Sequence, residues 1–120
     1  MAKMILAVDD SVSMRQLVSF ALSAAGYSVI EAGNGAEAVA KLSASVDMVI
    51  TDLNMPKMDG IELITHIRTK SAHKHIPIIM LTTESQPARK EAAKAAGATG
   101  WMVKPFRPEQ LLATVSRVLG

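Results

Sequence analysis

Five short segments of this 120-residue chain are largely apolar without strict alternation: Met4–Val8, Ser28–Ala32, Met48–Thr51, Ile78–Leu81 and Trp101–Val103. Each is too short for a helix, and most are rich in the Val and Ile that suit a pleated strand. Helical patterns lie between them. Met14, Leu17, Val18, Ala21, Leu22 and Ala25 recur at i, i+3, i+4 spacing, as do Leu111, Leu112, Val115, Val118 and Leu119. Residues 35–44 and 61–69 read the same way, and a weaker helix opens near Pro87 and closes at Gly97. Its inner face would be Ala88, Ala92, Ala95 and Ala96, which bury little area, so it should be loosely held. Strands that are apolar on both sides and alternate with helices predict a parallel sheet covered on both faces. Right-handed crossovers then favour an α/β, flavodoxin-like three-layer sandwich of five βα units, strand order 2-1-3-4-5. Its ligand crevice opens at the carboxyl ends of strands 1 and 3.

Composition closes other classes. A mass of 12.8 kDa implies a folded surface of roughly 6,300 Å² against roughly 18,600 Å² unfolded, which is core enough for one domain over residues 1–120 without staples. The absence of Cys removes disulfides, thiolate catalysis and cysteine zinc sites, and makes a reducing, cytoplasmic setting the expectation. Asp9 and Asp10 end the first apolar stretch too early for a signal peptide, and no run is long enough to span a membrane. A net charge of +2 gives no reason to expect nucleic acid. The charge is uneven, however: residues 86–120 hold six Lys/Arg and two Asp/Glu, against seven and nine before them.

The topology brings distant residues together. Asp9 and Asp10 follow the first strand and Asp52 the third, so three carboxylates meet at the crevice. Unit charges about 4 Å apart repel by roughly 4 kcal/mol at an effective dielectric of 20, so such a cluster calls for a cation. Lys104, at the end of the fifth strand, supplies one charge, and the remainder suits Mg²⁺, which accepts a few carboxylates and leaves room for phosphate oxygens. Thr82, ending the fourth strand, adds a hydroxyl. A carboxylate nucleophile, a metal, a Lys and a hydroxyl are the parts for moving a phosphoryl group onto Asp. Taken one at a time, Asp10 or Ser11 reads as the cap of the first helix, Asp52 as a turn residue, Thr82 as a β-branched strand end and Lys104 as a solvated charge. Their coincidence at four strand ends favours the joint reading.

The strings Ile5-Leu6-Ala7-Val8-Asp9-Asp10-Ser11, Thr51-Asp52-Leu53-Asn54-Met55-Pro56-Lys57-Met58-Asp59-Gly60, Leu81-Thr82-Thr83 and Lys104-Pro105-Phe106 together resemble the receiver domain of two-component response regulators. The likeness covers the whole chain and is greatest to the CheY-like stand-alone receivers of bacterial chemotaxis. It implies that Asp52 accepts a phosphoryl group from a phosphohistidine on a partner kinase. Asp10 and Asp52 would ligate Mg²⁺ by their carboxylates, Asn54 by its backbone carbonyl, and Asp9 through water. Lys104 and Thr82 would each hold a phosphoryl oxygen, and the Lys104-Pro105 bond would be cis. The family's switch aromatic falls at Trp101, where Tyr or Phe is usual, and a larger ring should cost more to swing inward. Asn54 and Glu84 occupy positions that tune water access, while Thr83 replaces the small residue common beside the switch threonine. Such a domain catalyses only its own phosphorylation and dephosphorylation.

With no output domain behind the fifth helix, a monomer acting through a binding partner is expected. The partner should dock on the basic face of helix 4, strand 5 and helix 5; in chemotaxis it would be the flagellar motor switch. A phosphorelay intermediate is the alternative within the class. An Asp-nucleophile phosphatase of the haloacid dehalogenase kind needs a second Asp where this chain has Asn54. An FMN site would have to place phosphate against Asp9 and Asp10. His73 and His75 lack a third ligand and read as a solvated loop, His66 as a surface residue, Met14 as core, and Gly33-Asn34-Gly35 as a turn entering a helix.

Overall fold

The computed structural model describes residues 3–43, 45–53, 55, 58–70, 73–82 and 87–119. Strands β1 (Met4–Val8), β2 (Ser28–Ala32), β3 (Met48–Asp52), β4 (Ile78–Thr82) and β5 (Gly100–Val103) alternate with helices α1 (Val12–Ala24), α2 (Gly35–Lys41), α3 (Gly60–Arg68), α4 (Pro87–Ala96) and α5 (Pro108–Leu119). All four strand pairings are parallel and the order is β2-β1-β3-β4-β5, as expected from the crossover rule.

The lack of alternation in the strands has a direct cause: each side of the sheet has its own core. Leu6, Val8, Val49, Ile78 and Met80 point to the side covered by Leu63, Ile64, Ile67 and Ala93. Their neighbours Ile5, Ala7, Met48, Ile50, Ile79 and Leu81 point to the other, against Val18, Leu22, Leu111 and Val115. β3 and β4 are buried at every position, so the third strand's terminal carboxylate emerges at the floor of a crevice.

Local chemistry sets the helix ends. Ser11 caps α1 by accepting the Met14 N–H at 3.3 Å, which leaves the Asp10 carboxylate for other use. Asn34 caps α2, and Asp59 with Glu62 forms a reciprocal capping box on α3. α4 closes on Gly97 at φ +115°, where the Gly97 and Ala98 N–H groups donate to the Lys94 and Ala93 carbonyls.

Three expectations are corrected. Leu17 is 41% exposed, because the core-facing stripe of α1 is the narrower set Val18, Ala21 and Leu22. On α4 the buried alanine is Ala93, with Ala96 half-buried beside it, while Ala88, Ala92 and Ala95 face solvent. His73 is buried, not solvated: its Nε2–H donates to the Ser43 carbonyl and so ties the α3–β4 loop to the α2–β3 loop. His75 is exposed, as expected of that loop, and His66 is half-buried. Small boundary shifts accompany these: α2 stops at Lys41, and β3 takes in Asp52, which was expected just beyond it.

Candidate functional site

Register explains how the crevice is assembled. β1 and β3 end side by side, with Val8 opposite Thr51, so the residues that follow meet at one rim. Asp52 lies opposite Leu81, and Thr82 opposite Val103, which puts the fourth and fifth strand ends beside the third. One carboxylate oxygen from each of Asp9, Asp10 and Asp52 lies within 4.8 Å of the other two. Asp9 and Asp52 are buried and Asp10 is exposed, so the cluster has a closed floor and an open side.

Lys104 occupies the place expected of it. Its ammonium donates to Asp52 Oδ1 at 3.0 Å and to Asp9 Oδ2 at 3.5 Å. Its backbone N–H donates to the Thr82 carbonyl at 2.7 Å, so the loop carrying the ammonium is pinned to the strand carrying the hydroxyl. The Lys104–Pro105 peptide is cis. Thr82 is 1% exposed, and its hydroxyl has no hydrogen-bond partner among the described residues. Asp9 Oδ1 accepts the Ser11 N–H at 2.9 Å, which turns its carboxylate towards the crevice.

The donor set fits a hard divalent cation: three carboxylates with oxygen donors only, and, among the described residues, one ammonium against their three negative charges. Behind Asp52 the backbone is packed closely. A Cβ added to Gly60 would lie 2.6 Å from the Asp52 carbonyl oxygen, 2.9 Å from Met80 sulfur and 3.0 Å from Leu53 Cα, so glycine is required where α3 crosses the end of β3.

Residues 5–116 match the response regulator receiver domain. The chain belongs to that family. As a receiver it is 45% identical to chemotaxis protein CheY1 of Helicobacter pylori, over 97% of this chain and 96% of the relative. It is 40% identical to the chemotaxis protein CheY homologue of Campylobacter jejuni, over 97% and 92%. It superposes on chemotaxis response regulator CheY4 of Vibrio cholerae with a TM-score of 0.93 at 51% identity, covering 99% of this chain and all of the other. It is a phosphorylation-activated response regulator of the chemotaxis type, and neither the relay nor the phosphatase reading is favoured. Receivers generally bind Mg²⁺, in keeping with the acidic cluster.

Asp9, Asp10, Asp52, Thr82 and Lys104 are thus gathered at one receiver crevice. Asn54, Thr83 and Glu84 lie outside the described residues. Trp101 stands apart from the crevice on β5, 40% exposed, with the Lys90 ammonium 5.8 Å from its ring centroid. That contact, and the 3.1 Å ion pair from Arg89 on α4 to the α3 cap Asp59, carried no sequence signal. Each joins residues of separate elements that no periodicity relates. No helix among the described residues is long and apolar enough to cross a membrane.

Proposed function

We propose that this receiver is switched by transfer of a phosphoryl group from a kinase phosphohistidine to the Asp52 carboxylate. A carboxylate oxygen of Asp52 forms the new bond to phosphorus. The phosphorus–nitrogen bond breaks, and its electron pair leaves with the imidazole, which takes up a proton. Asp9, Asp10 and Asp52 would hold Mg²⁺, which when bound offsets charge on the phosphoryl oxygens. The Asn54 carbonyl joins that set on the family resemblance alone. The Lys104 ammonium, already 3.0 Å from the attacking carboxylate, stays to pair with a phosphoryl oxygen.

The observation that carries this reading is the buried Thr82 hydroxyl, without a hydrogen-bond partner among the described residues, at the same rim as Lys104 and Asp52. A buried hydroxyl without a partner costs on the order of 1–3 kcal/mol, and a phosphoryl oxygen delivered to Asp52 would relieve it. Drawing Thr82 towards that oxygen displaces the end of β4, and with it α4 and the neighbouring Trp101. Few apolar side chains hold α4 in place, since Ala93 is its one buried residue.

Output then runs through the face of α4, β5 and α5. Its exposed Trp101, Lys94 and Arg117 suit an acidic peptide on a partner in the cytoplasm, such as the flagellar motor switch. The test is Trp101 fluorescence after addition of beryllofluoride or acetyl phosphate with Mg²⁺. A change that needs Mg²⁺ and disappears in Asp52→Asn is expected; the same change in the variant would refute the reading.

A further inference from the structure

Beneath the acidic loop lies a guanidinium that the receiver mechanism above does not use. Arg15, on the first turn of α1, donates from Nη1 to the backbone carbonyl of Asp9 at 2.8 Å and from Nε to Glu31 Oε1 of β2 at 3.1 Å. Its side chain is 19% exposed. Gly33 lies alongside, where an added Cβ would come within 3.3 Å of Nη1. A planar fork bound at two places, to the β1–α1 turn and to β2, has little freedom left, unlike a flexible ammonium.

The consequence falls on Asp9 and Asp10. Every polar group of Asp9 is held: its N–H donates to the Ala32 carbonyl at 3.1 Å, Oδ1 accepts from Ser11, Oδ2 faces Lys104, and its carbonyl accepts from Arg15. The Asp9 carbonyl belongs to the peptide plane that leads into Asp10. Its direction therefore fixes where the Asp10 Cα departs, and Asp10 is exposed. Three carboxylates within 4.8 Å of one another push apart, so a loop without a brace would relax outward.

We propose that Arg15 is a positioning residue for the metal site: through the Asp9 carbonyl it holds the β1–α1 turn so that Asp9 and Asp10 face Asp52 before a cation arrives. This rests on the reading that the Asp cluster binds Mg²⁺. The geometry of the fork, and not its charge, is the operative property. A positive charge near the cluster opposes a cation, so charge alone predicts that neutralising Arg15 tightens Mg²⁺ binding. Loss of the brace predicts the reverse, and the two roles are separated by sign.

The experiment is calorimetric titration of Mg²⁺ into the unphosphorylated chain, comparing wild type with Arg15→Gln, Arg15→Lys, Glu31→Gln and Asp10→Asn. Removing an outer partner of a metal ligand typically weakens binding 10- to 100-fold, and about tenfold is expected for Arg15→Gln. Arg15→Lys, which keeps the charge and loses the planar fork, should fall between it and wild type, and Glu31→Gln should weaken binding less. Circular dichroism and melting in metal-free buffer show whether each variant is folded. Should Arg15→Gln fail to fold, Arg15→Lys and Glu31→Gln carry the test. Folded variants that bind Mg²⁺ as tightly as wild type, or more tightly, would overturn the role of Arg15. A wild type that takes up no Mg²⁺, or an Asp10→Asn that binds equally well, would overturn the metal reading itself, and the role of Arg15 with it.

Discussion

Replacing Lys104 with Met keeps an aliphatic stem and removes the ammonium that faces Asp52 at 3.0 Å and Asp9 at 3.5 Å. The three side chains are 21%, 11% and 4% exposed, so water screens the contacts only in part. At an effective dielectric of about 20, each contact amounts to roughly 5 kcal/mol of bare attraction, most of which desolvation offsets. Breaking a buried pair costs about 3–5 kcal/mol because the surviving charge is left alone; with a fifth of Lys104 in contact with water, about 2–3 kcal/mol is expected. In a domain of this size that lowers the melting temperature in metal-free buffer by about 10 °C. Mg²⁺ should move the opposite way. The cluster loses its resident positive charge, and even at the dielectric of water a divalent cation near one more uncompensated unit charge gains about 2 kcal/mol, or more than tenfold in affinity. Millimolar Mg²⁺ should therefore restore most of the lost melting temperature. Calorimetric melting with and without chelator, and Mg²⁺ titration, read both signs. An unchanged melting temperature without metal, or weaker Mg²⁺ binding, would refute the account of Lys104 as the cluster's built-in cation.

Other substitutions test neighbouring parts. Thr82→Val removes a buried hydroxyl that has no partner among the described residues, so unfolding in urea should show stability equal to wild type or higher by up to about 1 kcal/mol, while the beryllofluoride response of Trp101 is lost. A full response in that variant would remove Thr82 from the switch. Gly60→Ala forces a methyl to within 2.6 Å of the Asp52 carbonyl and should cost about 1–3 kcal/mol, with slower phosphorylation because the displaced backbone carries the proposed acceptor. A denaturation midpoint equal to wild type would contradict that packing. Phe20 is 80% exposed, so Phe20→Ser should change stability by no more than about 0.5 kcal/mol in the same assay; a larger loss would mean that the ring is covered.

The sheet was legible because burial on both sides leaves a mark in the strands themselves: Met48–Ile50 and Ile78–Leu81 contain no polar residue. Given parallel strands, right-handed crossovers bring Asp9, Asp10 and Asp52 together without reference to any long-range contact. Side-chain placement within the helices was harder to read. On α4, alanines at 88, 92, 93, 95 and 96 offer no contrast from which to choose an inner face, and packing against the sheet selects Ala93. On α1 the apolar residues form a stripe wider than the groove that receives it, leaving Leu17 at the edge. His73 lies in a loop without period, and the carbonyl that accepts its proton is 30 residues away. Arg15 was likewise invisible, since its partners come from the end of β1 and from β2, and a lone Arg on a first turn resembles any solvated cation.

In the mechanism proposed for this receiver, Asp52 takes the phosphoryl group. The direct measurement is mass spectrometry of the chain after incubation with acetyl phosphate and Mg²⁺, with borohydride reduction to mark an acyl phosphate. One phosphoryl group on Asp52, released by hydroxylamine and absent from Asp52→Asn, is the predicted result. A phosphoryl group on another residue, one that resists hydroxylamine, or equal labelling of the variant would contradict it.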